Sequence, residues 1–189
     1  EGIEVGALGF TTSRTELHTT RAGGPMPGTY ADEAELLGIG SAIGELGGKG
    51  IYGLVSDFKG WEQEMDWMQR LSVENHCQVN FVLFFREEGD WDRVLKQLDY
   101  VRRANAGGAR LVPHVGARPV NILLSWDGTI NPFSFHSNYA RLSIMSHGER
   151  LAELRKPEVR AAILAEPLPL LGDPFMDTIV GGYDRLYEL

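Results

Sequence analysis

The chain has 189 residues, 43% of them hydrophobic and 23% charged, with a formal net charge of −8 and a pI near 5.1. Those proportions exclude a disordered chain and belong to a globular α, β or mixed protein. Its 18 Lys and Arg are scattered among 26 Asp and Glu, which excludes a nucleic-acid or membrane-surface partner.

No apolar run has the length of a membrane span, and the opening Glu1-Gly2-Ile3-Glu4 is unlike a signal peptide. Cys77 is the single cysteine, which excludes an intrachain disulfide and a Cys-rich zinc site and is the usage expected in a reducing cytoplasm. With no Met at its start, the chain is expected to be an excised or processed product.

Val5 to Phe10 reads as a short strand feeding a Thr/Ser/Gly/Pro-rich loop from Thr11 to Thr29. Asp32 with Glu35 forms a capping-box pattern, and Ala34, Leu37, Ala42, Ile43 and Leu46 predict a helix that Gly47-Gly48 stops. A strand follows over Ile51 to Ser56. After Gly60, the spacing of Trp61, Met65, Met68 and Leu71 marks one face of a helix. Val79 to Phe85 is a largely apolar run, as expected of a strand covered on both faces. Asp90 is placed to cap a third helix, with Trp91, Val94, Leu95, Leu98 and Val101 as its buried stripe, and Arg110 to Val115 starts a further strand.

Strand starts roughly 30 residues apart have the spacing of right-handed βαβ units, so the class is α/β with a parallel sheet. Both a barrel and a doubly wound sheet bury their strands this way, and periodicity leaves the two open. After Arg118-Pro119-Val120 the rhythm changes. Asn121 to Trp126 reads as a strand or an extended loop, Tyr139 to Leu154 as helical, Pro157 as the first turn of another helix, and the last twenty residues as an irregular tail. The expected organisation is (β/α) units over residues 1–120 and a loop-rich, helical insertion over 121–189, near an active-site mouth.

The five histidines form no His-x-His or His-x-x-x-His pair. His114 stands at a strand end, where α/β enzymes place their sites, whereas His76 ends a helix and His136 and His147 read as surface residues. Ser56-Asp57 also ends a strand. Asp57 is the one metal candidate, against the alternative of a cap on the next turn. Ser13 and Arg14, in the run Thr11-Thr12-Ser13-Arg14, are suited to orient a carboxylate, or alternatively to hold a loop together. Arg86-Glu87-Glu88 follows the third strand as catalytic charge or solvated loop. The four tryptophans read as packing residues rather than a ligand box.

The stretch Gly6-Ala7-Leu8-Gly9-Phe10-Thr11-Thr12-Ser13-Arg14-Thr15, with His18, Pro27-Gly28-Thr29 and Glu33 to Leu36, resembles the Gly-Ala-x-Gly-Phe-Ser-x-Ser-Arg signature of the D-aminoacylase group of amidohydrolases. The likeness continues through Gly50-Ile51-Tyr52, Trp67-Met68, Pro132-Phe133-Ser134 and Leu154 to Arg160. It implies a TIM-type barrel, here partial, with a small β domain beside it. It also implies zinc, and hydrolysis of the amide bond of an N-acylated D-amino acid, the metal activating water while an aspartate moves the proton. The His-x-His pair and that aspartate are expected outside this segment. Two metal-binding histidines of the family are replaced here, by Ser56-Asp57 and Phe84-Phe85-Arg86 at the strand ends, and His114 stands where relatives carry a substrate-side tyrosine. The substrate contacts expected in this chain are Ser13, Arg14, His18, His114 and Arg118, with Asp57 as the metal candidate. The alternative is a non-catalytic α/β binding or scaffold module. A further expectation is a homo-oligomer paired through open strand edges.

Overall fold

The computed structural model describes the whole chain except Arg21, Arg86, Glu87, Pro119, Val120, Thr129, Pro169, Asp173, Gly182, Glu188 and Leu189. It divides into two compact units, 1–118 and 119–189.

The first unit is a four-stranded parallel sheet alternating with helices: β1 (Gly9–Arg14), α1 (Glu33–Gly44), β2 (Ile51–Ser56), α2 (Trp61–Asn75), β3 (Gln78–Val82), α3 (Trp91–Ala106) and β4 (Leu111–His114). Spatial order follows chain order, β1-β2-β3-β4, with no reversal. Because alternate strand residues face opposite sides, the register puts Tyr52, Val79 and Leu111 on one side and Gly53, Asn80 and Val112 on the other. Tyr52, Leu54, Val79, Phe81 and Leu111 are buried in one core with Leu36 and Ile43 of α1, Met65, Met68 and Leu71 of α2, and Val94 and Val101 of α3. All three helices therefore cover the same side of the sheet. Burying some dozen large apolar side chains at about 1.5–3 kcal/mol each is what offsets the chain entropy lost here.

Local sequence explains the close approaches. A Cβ on Gly9 would stand 1.9 Å from the Ile51 carbonyl oxygen, so only glycine lets β1 pair with β2 at that point. On α1, a Cβ at Gly40 would meet the Leu71 side chain at 2.7 Å, and this bare stripe is what lets α2 lie close. Asp32 caps α1 by accepting from the Glu35 N–H, as its spacing predicts.

Asp90 differs from its expected role. It occupies the N-cap position of α3 but makes no capping bond, and its carboxylate instead holds Arg93 at 2.6 Å. The buried line of α3 also differs. It runs through Val94, Gln97, Val101 and Ala104, while Trp91, Leu95 and Leu98 are exposed. Arg93 donates to both Gln97 and the Phe84 carbonyl, which turns the 94–97 edge of the helix toward the sheet. Periodicity finds the stripe but not which edge of a wide stripe faces inward.

At the far edge, Val79 N–H donates to the Arg110 carbonyl and Leu83 N–H to that of His114. Even-numbered β4 residues thus face β3, and Pro113 presents its hydrogen-free nitrogen to the open side, an arrangement that blunts an edge against further pairing.

The second unit is helical: α4 (Ser137–Ser143), α5 (His147–Leu154), α6 (Pro157–Leu164) and α7 (Pro174–Gly181). Asn121 to Trp126 forms no strand, and the expected tail contains α7. Tyr139, Leu142, Val159 and Ile163 form its core, with Trp126 and Phe133 packed against them. His136, expected on the surface, is 2% exposed. Its Nδ1–H donates to the Ile163 carbonyl, so its Nε2 accepts from the Tyr183 hydroxyl. His147 is exposed and pairs with Asp127 at 2.6 Å.

Helix α4 has no capping side chain of its own. The Glu166 carboxylate accepts from the N–H groups of Asn138 and Ser137 at 2.6 and 2.7 Å, and the Asn138 bond foremost holds its pKa below the usual 4.5. A depressed carboxylate stabilises fully above its unfolded value and loses that contribution as pH falls through its lower folded value. Circular-dichroism melts are therefore expected to lose stability on acidification below about pH 4.5, and Glu166→Gln is expected to flatten that part of the curve. Superimposable wild-type and E166Q profiles would remove this cap from the account.

Among the described residues, no helix is long and apolar enough to cross a membrane.

Candidate functional site

Beyond β1 the chain turns through a small hairpin, closed by the bridge between Thr19 and Pro25 and by Met26 N–H donating to the His18 carbonyl. The base of this loop is held to β2. Asp57 accepts from the Thr15 hydroxyl at 2.5 Å and from the Glu16 N–H at 2.8 Å, and Lys59 pairs with Glu16 at 2.6 Å. An open trough of about 840 Å³ is lined both from the first unit's uncovered sheet face and from Glu35, Leu36 and Ile39 of α1. Its lining includes Ser13 and His18, Met26 and Pro27 of the hairpin, Asn80 of β3 and His114 of β4.

Three of the expected contacts meet in this trough: Ser13, His18 and His114. Ser13 and His18 are joined, Oγ to Nδ1 at 2.8 Å. If the hydroxyl donates, the imidazole carries its proton on Nε2, which then offers a donor to a ligand. A serine bonded to a histidine is also the first element of a nucleophilic pair. With its hydroxyl and ring nitrogen side by side, the pair can hold a carbonyl or carboxylate.

Arg14 alternates to the other side of β1. Its guanidinium holds both Glu64 oxygens, with Nη2–Oε1 at 2.7 Å, donates to the Ala31 carbonyl and lies 5.6 Å over the Trp67 ring. The Ser56 hydroxyl donates to the same Glu64. This pattern is the loop-holding alternative for Arg14. Arg118 is exposed beyond β4 and does not line the trough. Arg86 and Glu87 lie outside the described residues.

The two Asp57 carboxylate oxygens hold Thr15 and Glu16. No group of three His, Cys, Asp or Glu side chains that could hold a metal occurs among the described residues. These residues do not fit a zinc site of their own.

The hairpin and the trough-facing Asn80 escaped the sequence reading. The hairpin's signal was its Gly23-Gly24 and Pro25, but the pairing of Thr19 with Pro25 has no periodicity to betray it. Asn80 interrupts an apolar run, and that interruption marks its side of the strand.

No protein-family model, curated protein or solved structure matches the chain.

Proposed function

We propose that this chain is part of a cytoplasmic (β/α)-barrel amidohydrolase of the D-aminoacylase type, and that the trough is the substrate-side wall, receiving a small N-acylated D-amino acid. One observation carries the reading: Ser13, His18 and His114, expected as substrate contacts, line a single trough and stand toward the C-terminal ends of parallel strands. That end of a (β/α) unit is where its enzymes bind ligands. The unreversed strand order, with helices on one side only, supports a barrel segment over a doubly wound sheet, whose order reverses at its ligand crevice. In this role His18 and the Ser13 hydroxyl hold the substrate's carboxylate or acyl carbonyl, and His114 approaches it from across the trough. Bond cleavage is assigned to residues outside the described set.

Titrating N-acetyl-D- and N-acetyl-L-amino acids into the 189-residue chain tests this. Preferential binding of the D form is expected, weakened about tenfold in His18→Ala and in His114→Ala, the loss of one hydrogen bond each. No turnover is expected with added zinc. Equal affinity for both enantiomers, or variants that bind as the wild type does, would sink the substrate assignment, and turnover would refute the need for further residues. D-selective binding by a full-length protein that has no activity with zinc would favour the scaffold alternative.

A further inference from the structure

Among the described residues, the buried side chains near the first unit's core that carry polar atoms with no partner include Tyr52 Oη on β2, Trp67 Nε1 on α2 and Thr29 Oγ1 in the loop before α1. Their residues are 0%, 3% and 6% exposed. Leaving one such group dry costs about 1–3 kcal/mol, and native interiors seldom leave several together. Tyr52 and Trp67 are neighbours, their rings 6.2 Å apart and edge to face. The Arg14 guanidinium sits over the same Trp67, and Thr29 lies two residues before the carbonyl that Arg14 holds. Tyr52 and Trp67 thus stand side by side at one corner of an otherwise apolar layer, with the Arg14 guanidinium over the indole.

We infer that this corner is an internal hydration site, in which an ordered water accepts from Tyr52 Oη–H and Trp67 Nε1–H beneath the Arg14–Glu64 pair. Water suits the chemistry because both atoms offer hydrogens and need an acceptor, and a water supplies two lone pairs where an apolar side chain supplies none. A halide would answer the same two donors. The carboxylate of Glu64 already balances Arg14 at 2.7 Å, however, and Glu35 adds a second negative charge toward Tyr52. Burial above all, with Glu35 adding to it and Arg14 opposing it, pushes the Tyr52 phenol up to about 12, so it remains a donor throughout the neutral range. The site's consequence is positional. It completes the polar layer that anchors Arg14, and so fixes the strand end from which Ser13 faces the trough.

A high-resolution crystal structure of the chain, grown with bromide in place of chloride, tests this directly. The expected result is a water peak at about 2.7–3.2 Å from Tyr52 Oη and Trp67 Nε1, with no anomalous signal. A bromide peak there, or empty density, would overturn the inference. Tyr52→Phe gives an independent reading by its sign. Removing a hydroxyl that water partners is expected to lower Tm by a few degrees, whereas removing a dry one leaves Tm unchanged or raises it, which would count against the site.

Discussion

Arg150→Met is expected to unfold the second unit. The guanidinium is 9% exposed and donates to four backbone carbonyls: Leu142 at 3.1 Å, Ser143 at 3.1 Å, Met145 at 3.0 Å, and Trp126. Leu142 and Ser143 belong to the last turn of α4, where the Leu142 carbonyl also accepts from Met145 N–H. One side chain on α5 therefore closes the C-terminus of α4 and ties the 126 segment to both. Methionine keeps most of the volume and none of the donors. Removing Arg150 leaves the Trp126, Ser143 and Met145 carbonyls without it, and at about 1 kcal/mol each the loss is roughly 3 kcal/mol, against the few kcal/mol that a unit of this size commands. Limited proteolysis should then cut within 119–189 while leaving the first unit intact. Arg150→Lys, with a single point of charge and three donors, should fall between the two. An R150M protein as resistant as the wild type would show that the helices hold together by their apolar core alone.

Local periodicity is legible in the sequence, and long-range contacts are not. The alternation of parallel strands with helices is readable because burial imposes a period, and Met65, Met68 and Leu71 obey it, whereas the first strand, expected over Val5 to Phe10, runs over Gly9–Arg14 because its Thr and Ser residues hide it in a loop-like composition. Asp32 was readable as a cap because a cap is a contact three residues long. Long-range polar contacts leave no such trace. Nothing around Glu166 announces that it caps α4 from 28 residues away, and nothing around Asp57 announces Thr15 and Glu16. For the trough, strand alternation separates Ser13 from Arg14, but only once the register of β1 on β2 is known. His136 reads as a surface residue because the Ile163 carbonyl and Tyr183 hydroxyl that satisfy it in the core are 27 and 47 residues away.

Arg14 offers the sharpest separation of a structural from a substrate-binding role, and Glu64→Leu is the place to start. The two side chains are 16% and 14% exposed and joined by a two-point contact, so deleting the carboxylate strands a largely buried guanidinium and takes the acceptor from Ser56. Removing one partner of a buried pair costs about 3–5 kcal/mol, and this pair, slightly wet, should lose about 2–3. Replacing both, as Arg14→Met with Glu64→Leu, leaves no charge behind and should recover most of that loss, since similar-sized apolar pairs often match buried ion pairs. A urea-denaturation cycle over the wild type, both single variants and the double variant measures the coupling. The double variant then decides the role. If Arg14 only holds the layer beneath β1, N-acetyl-D-amino acid binding at Ser13 and His18 survives in the refolded double variant. If the guanidinium reaches the ligand, binding is lost while stability is kept, and the helix-side placement of Arg14 would have to give way to a second conformation at the strand end.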